Sequence, residues 1–227
     1  MLLPIPALIG PEDVAALRAI IDAAPWEDGN ATSGHQARLV KNNRQLPEDG
    51  AAAQQAGQIV LTALASSPLF IAAALPHKIY PPMFNSYSGG QTYGLHVDNA
   101  VRVKAGTDWR VRSDLSMTVF LEDPAHYDGG ELTIETRFGA QSVKLAAGDA
   151  ILYPSSSLHM VQPVTRGCRV ASFFWIQSMV RDDMARTSLF DLDQSIQTLA
   201  TQVGQDNPSI VRLTGVYHNL LRQWAEA

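Results

Sequence analysis

The sequence has almost no cysteine. Cys168 stands alone in 227 residues, which excludes an internal disulfide framework and fits a reducing compartment. Long apolar runs are missing too: none reaches the roughly 18–20 residues that span a bilayer, so no membrane association is expected. A basic N-terminal stretch is also lacking. The first cationic side chain is Arg18, and Pro4 and Pro6 interrupt the apolar opening. A signal peptide is therefore not expected, and the expected address is cytoplasmic. Positive charge is in short supply, with 17 Lys and Arg against 22 Asp and Glu, a net charge of -5. That balance argues against a nucleic-acid partner held on a basic face. The chain also has no fixed-period repeat and no low-complexity tract. Its hydrophobic content of 46% and charged content of 17% exclude a disordered chain and leave a folded protein with one sizeable core.

What is present divides into three stretches. Residues 11–24 read as an amphipathic helix, with Pro11 in the first turn, Glu12 and Asp13 at its positive end, and Val14, Leu17, Ile20 and Ile21 on one face. A second helix is expected over 51–66, ending near Ser66-Ser67-Pro68. From about residue 78 the pattern changes to short alternating or apolar segments punctuated by Gly, Pro and Asp. Strands are expected at 79–87, 93–98, 115–122, 131–136, 141–145, 150–153, 160–164 and 168–177. Turns are expected at Ser88-Gly89-Gly90, Tyr127-Asp128-Gly129-Gly130 and Ala147-Gly148-Asp149. That many short strands argue for a double-sheet jelly roll or a similar barrel. Helical patterns return over 191–203, with Leu192, Ile196 and Leu199, and over 209–225, with Val211, Leu213, Val216, Leu220 and Leu221. The expected fold class is α+β, a double-stranded β-helix core flanked by helices. The expected organisation is an N-terminal helical region over 1–77, a jelly-roll domain over 78–178 and a C-terminal helical region over 179–227.

Four residues in two places carry the chemistry. His96-Val97-Asp98 puts an imidazole and a carboxylate at i and i+2, which on a strand share a face and can converge on one ion. Alone, the tripeptide also fits a surface ion pair at a strand end. His159, at the expected start of a strand, supplies a second imidazole, although a single histidine there also fits a core position satisfied by backbone. Two imidazoles and a carboxylate can hold one face of a ferrous ion and leave the other open. Arg169 lies in the apolar run Gly167-Cys168-Arg169-Val170-Ala171-Ser172-Phe173-Phe174-Trp175. A guanidinium buried there needs a carboxylate, either from a ligand or from an internal salt bridge.

The order His-x-Asp, about 60 residues, His, then Arg ten residues on resembles the Fe(II)/2-oxoglutarate-dependent dioxygenases. Asn85-Ser86-Tyr87 and Tyr93-Gly94-Leu95-His96-Val97-Asp98-Asn99 resemble their prolyl 4-hydroxylase branch. Asp128-Gly129-Gly130-Glu131-Leu132, Gly148-Asp149, Tyr153 to His159 and Phe174-Trp175-Ile176-Gln177-Ser178 resemble the bacterial PKHD-type hydroxylases more closely. The catalytic resemblance spans about 78–178. It implies that His96, Asp98 and His159 ligate Fe(2+), that Arg169 binds the distal carboxylate of 2-oxoglutarate, and that Tyr87 and Tyr93 line this pocket. Both tyrosines also suit ordinary sheet packing. Ser116 or Thr118 is a candidate for a further hydroxyl on the co-substrate, and spacing does not choose between them.

The implied reaction consumes dioxygen and 2-oxoglutarate, releases succinate and CO2, and hydroxylates a peptidyl or amino-acid side chain or a small metabolite such as a siderophore. The resemblance also implies L-ascorbate as an accessory reductant, with no binding motif to point to. Asp98 favours hydroxylation over halogenation, since related halogenases lack this carboxylate. Two alternatives stand beside this reading. One is a non-catalytic metal-binding or cupin-like jelly roll, which would not need Arg169. The other is a nucleic-acid repair dioxygenase, which would carry a second arginine where this chain has Trp175.

The remaining motifs have plainer expectations. His35, Arg38, Lys41 and Asn42 are candidates for substrate contact in a covering segment. His77 is expected to be structural, His126 exposed, and His218 at the surface or an interface. Cys168 and Phe173-Phe174-Trp175 are expected to pack in the core. The C-terminal helices, about 180–227, are candidates for homodimerisation or for capping the site.

Overall fold

The computed structural model describes residues 1–32, 37–136 and 138–226. The first helix, α1 (Pro11–Asp22), starts at the proline that suits its first turn and buries Val14, Leu17 and Ile21. The second, α2 (Ala51–Ala65), buries a stripe of Ala53, Ala56, Gly57, Val60 and Leu64. Small residues on that stripe let α2 lie close against its neighbours. Ser67-Pro68, read from sequence as a stop, is also a start. The Ser67 hydroxyl accepts from the Phe70 N–H and Pro68 takes the first turn of α3 (Pro68–Ala74), a helix the sequence reading leaves out. No single helix among the described residues is long and apolar enough to cross a membrane; α2 and α3 reach that composition only as a pair bent by 85°.

The strands that matter here are β1 (Leu3–Ile5), β2 (Pro76–Ile79), β3 (Met83–Ser88), β4 (Thr92–His96), β5 (Val101–Val103), β6 (Arg110–Arg112), β7 (Leu115–Phe120), β8 (Leu132–Thr136), β9 (Gly139–Val143), β10 (Ala150–Pro154), β11 (His159–Val161) and β12 (Cys168–Ser178). Among the described residues they form a larger antiparallel sheet, ordered β1-β10-β7-β12-β3 and continued by Arg44–Gln45 and Glu27–Asp28, with β2 also pairing β12. A smaller sheet runs β9-β8-β11-β4 and ends on Lys41–Asn42. The chain is thus α+β. Residues before 78 contribute strands as well as helices. The expected strand 79–87 is two strands, because Pro81 and Pro82 carry no N–H for a ladder. The hairpin β5–β6 has no counterpart in the sequence reading. The expected turns at Gly89-Gly90 and Gly148 form, whereas Asp128–Gly129 is a short strand paired with Val164 and Arg166; Gly89, Gly90, Gly129, Gly130 and Gly148 are all at positive φ.

Period-two alternation in the larger sheet separates two compartments. One face of β7, β10 and β12, carrying Met117, Val119, Leu152, Val170, Phe174 and Ile176, packs with α1, α2 and α3 in the main core. The opposite face turns Ser116, Thr118, Arg169, Phe173 and Trp175 into a cavity shared with the smaller sheet. Phe173-Phe174-Trp175 is therefore split. Phe174 belongs to the main core, while Trp175 is buried in a separate cluster with Tyr80, Met83 and Val111. Cys168 packs against the main core, as expected, though only partly buried.

The C-terminal helices are α4 (Asp183–Val203) and α5 (Pro208–Trp224), packed through Leu189, Tyr217, Leu220, Leu221 and Trp224 onto Leu75 and Val180. Helix α4 starts eight residues earlier than the apolar pattern predicts. Its first turn buries Arg186, whose guanidinium donates to the Val180 and Arg181 carbonyls and to Asp183. A charged residue at a buried position hides the helical stripe. In α5, Val211 and Val216 face outward. His77, His126 and His218 are all exposed.

Candidate metal centre

The antiparallel register of the smaller sheet sets His96 on β4 directly opposite His159 on β11. Strand β4 ends at His96, so Asp98 does not share a strand face with it, as its i+2 position suggests. Asp98 reaches the same point from the loop beyond the strand end. One ligand atom from each of His96, Asp98 and His159 lies within 4.8 Å of the other two. The Asp98 Oδ2 to His159 Nε2 distance is 3.6 Å, and the two imidazole centroids are 4.2 Å apart.

Backbone contacts set the tautomers. His96 Nδ1 lies 2.8 Å from the Gly94 carbonyl and His159 Nδ1 lies 2.9 Å from the Ser157 carbonyl. Each Nδ1 therefore carries the proton and donates it, which leaves both Nε2 lone pairs for a metal. Burial, reinforced by the proximity of His159, pushes the His96 pKa down to about 4, against the pull of the Gly94 carbonyl and Asp98. The imidazole is neutral at physiological pH, the state a ligand requires. Asp98 is oriented from behind. Ser116 Oγ donates to Asp98 Oδ2 at 2.6 Å and shares a 2.7 Å contact with Ser155 Oγ. Ser116 is thus engaged at the carboxylate, and both hydroxyl candidates, Ser116 and Thr118, line the cavity.

The path toward Arg169 follows β7. Ser116, Thr118 and Phe120 point to one side at successive i+2 positions. Ser116 meets Asp98, and the Phe120 ring lies 5.3 Å from the Arg169 guanidinium carbon. Arg169 is paired across the sheet with Tyr87, whose ring lies 5.4 Å from the same carbon. The arginine is 1% exposed, and its Nε and Nη1 have no hydrogen-bond partner among the described residues. The internal salt bridge left open by the sequence does not form among them. A buried guanidinium with unused donors is unfavourable unless a ligand completes it, so this end of the cavity fits a carboxylate. At the other end, two nitrogens and one oxygen on one side of a point fit a ferrous ion.

The cavity also brings in Tyr93, which stacks on His96 with centroids 3.6 Å apart, and Tyr153, edge-on to His159 at 5.2 Å. Burial pushes the hydroxyl pKa of Tyr87, Tyr93 and Tyr153 up, so all three act as neutral groups. Of the substrate-contact candidates, Lys41 lines the cavity. Arg38 and Asn42 are exposed and do not, and His35 lies outside the described residues. The reason is alternation: Lys41, Asn43 and Gln45 turn inward, so Asn43 rather than Asn42 lines the cavity. The all-polar run Lys-Asn-Asn-Arg-Gln gives no hydrophobic period from which to read this. Asn43, Asn85, Arg102, Tyr153 and Ser155 are the residues the sequence reading does not assign a role.

Residues 82–177 match the family model for the 2OG-Fe(II) oxygenase superfamily, the class that this sheet pair and this site define. Residues 183–226 match the model for the PKHD-type hydroxylase C-terminal domain. Over all 227 residues of both chains, the sequence is 63% identical to a PKHD-type hydroxylase of Rhizorhabdus wittichii and 59% identical to one of Methylobacillus flagellatus. The chain belongs to the PKHD-type hydroxylase family. The fold is also similar to a prolyl-4-hydroxylase of Pseudomonas putida, with a TM-score of 0.54, 18% identity and coverage of 78% of this chain and 92% of that one. The protein is an Fe(II)- and 2-oxoglutarate-dependent hydroxylase, which sets aside a non-catalytic binding module.

Proposed function

We propose that His96, Asp98 and His159 hold the Fe(II) of this hydroxylase and that Arg169 holds the far carboxylate of 2-oxoglutarate, with Tyr87 against the guanidinium and Tyr93 against His96. The carrying observation is the pairing in one cavity of three converging ligand atoms with a buried arginine whose Nε and Nη1 lack partners. When bound, the iron and 2-oxoglutarate supply the oxidising chemistry by which dioxygen yields a hydroxylated C–H bond, succinate and CO2. The chain's own residues position and exclude. The Gly94 and Ser157 carbonyls fix the two imidazoles, Ser116 and Ser155 fix Asp98, and the walls of Phe173, Trp175 and Tyr153 keep water from the reacting centre.

The wider reading keeps three further elements. The two sheets are read as a double-stranded β-helix over about 78–178, with helical regions over 1–77 and 179–227. The substrate is a peptidyl or amino-acid side chain or a small metabolite, and ascorbate is an accessory reductant. The exposed Val211 and Val216 of α5 support a homodimer, while the acidic charge and lone cysteine support a cytoplasmic protein without a nucleic-acid partner.

An anaerobic titration tests the core of this. Fe(II) followed by 2-oxoglutarate is expected to give a visible metal-to-ligand charge-transfer band that needs both additions and is absent in Asp98→Ala. Bound iron without a band in the folded parent would remove the assignment. A glycine provides a second check. Gly130 has φ 69°, and an added Cβ would stand 3.0 Å from Arg169 Cδ and 3.1 Å from Tyr127 Cε2. Gly130→Ala is expected to lower stability by about 1–3 kcal/mol and to weaken 2-oxoglutarate binding by displacing the arginine stem. Thermal melts and the same titration measure both.

A further inference from the structure

The outer part of the cavity carries a cation that neither iron nor 2-oxoglutarate employs. Arg102 sits at the centre of β5, in the hairpin that β5 forms with β6. Alternation decides where it points: Val101 and Val103 are about half exposed, and Arg102 turns inward to the cavity wall. Its guanidinium carbon lies 4.4 Å from the Trp175 ring centroid and 5.5 Å from that of Tyr80. Its Nε is buried without a hydrogen-bond partner among the described residues. The hydroxyl of Tyr80, the polar group beside it, donates to Glu48, and its oxygen faces the guanidinium as a hydrogen-bond partner. The hairpin is itself anchored, since Val111 on β6 is fully buried against Tyr80, Met83 and Trp175. The guanidinium is therefore held on aromatic rings with its Nε–H unused. That geometry suits a planar anion.

Charge indicates the same partner. The two positive charges of the iron offset the two carboxylates of 2-oxoglutarate, and Arg169 offsets Asp98. Arg102 then adds a cation to the cavity wall, with the Glu48 carboxylate turned to the Tyr80 hydroxyl. An anionic substrate would meet that guanidinium directly, whereas a neutral one would leave its Nε–H without a charged acceptor.

We propose that Arg102 is the specificity residue for the hydroxylated substrate, and that this substrate presents a carboxylate to it, with apolar carbon lying along Met83 and Phe173. The proposal rests on the assignment of the inner cavity to iron and 2-oxoglutarate. It is tested with the full protein loaded anaerobically with Fe(II) and saturating 2-oxoglutarate, titrated calorimetrically with 4-methylpentanoate and separately with 4-methylpentanamide. The carboxylate is expected to bind at least about tenfold more tightly than the amide, Arg102→Gln to erase that preference, and Arg102→Lys to restore part of it. No saturable carboxylate binding, equal binding of the two probes, or a preference that survives in Arg102→Gln would each overturn the proposal. The charge-transfer band of the loaded parent separates the two readings. Without the band, the cofactor assignment fails; with the band and no carboxylate preference, only the role of Arg102 fails.

Discussion

Arg169→Met is expected to raise the apparent requirement for 2-oxoglutarate by about 30-fold or more, while the metal-free protein melts at the parent's temperature or above. The two effects have one cause. In the protein without its co-substrate, Arg169 is buried with Nε and Nη1 unsatisfied, and its compensation is the faces of Tyr87 and Phe120. Replacing buried charge by an apolar side chain of similar volume is often neutral or stabilising, by about 1–4 kcal/mol. Methionine retains most of the unbranched stem and drops the guanidinium. With co-substrate present the balance reverses, because a bidentate contact to a carboxylate disappears. Truncating one side of such a desolvated pair costs roughly 2–5 kcal/mol, which is where the expected fold-change comes from. Iron binding should persist, since the arginine stands away from the ligand triad. Melting curves with and without 2-oxoglutarate, run beside turnover at varied co-substrate, measure both halves. A lower melting temperature with an unchanged 2-oxoglutarate requirement would make Arg169 a purely structural residue.

His159→Ala is expected to abolish tight Fe(II) binding and with it succinate formation. Outer-shell contacts to metal ligands are typically worth about 10–100-fold in affinity, and removal of the ligand itself should exceed that. His159 is the most enclosed of the three ligands, at 4% exposure. Its Nδ1 is tied to the Ser157 carbonyl and its ring is backed edge-on by Tyr153. The readout that isolates the metal is thermal. At Fe(II) one hundred times its dissociation constant, binding to the folded state alone stabilises by about 2.7 kcal/mol. That stabilisation should appear in the parent and vanish in His159→Ala. Iron occupancy and thermal shift equal to the parent's would remove His159 from the ligand set.

The ligand triad and Arg169 are legible in the chain because their chemistry is carried by residue type and local spacing. His-x-Asp, a distant His and an Arg ten residues on do not depend on knowing how the sheets pack. The expected strands survive in nearly the same places for a similar reason. Alternation and glycine turns are local properties, and the positive φ of Gly89 and Gly148 is demanded at the turns themselves. Where the local signal is ambiguous, the reading fails. Ser67-Pro68 ends one helix and caps the next, and buried Arg186 conceals the first two turns of α4.

The sequence by itself determined the reaction class, the residue types at the candidate metal site and the α+β character. Tertiary structure alone decided which polar groups serve those residues. Ser116 and Ser155 are 39 positions apart and share a contact behind Asp98. Tyr87 meets Arg169 through the register of two strands, and Arg102 reaches the cavity through a hairpin that folds onto Trp175. Such partners are fixed by sheet register and by the satisfaction of buried donors. Both are properties of segments brought together by folding, and no local spacing encodes them.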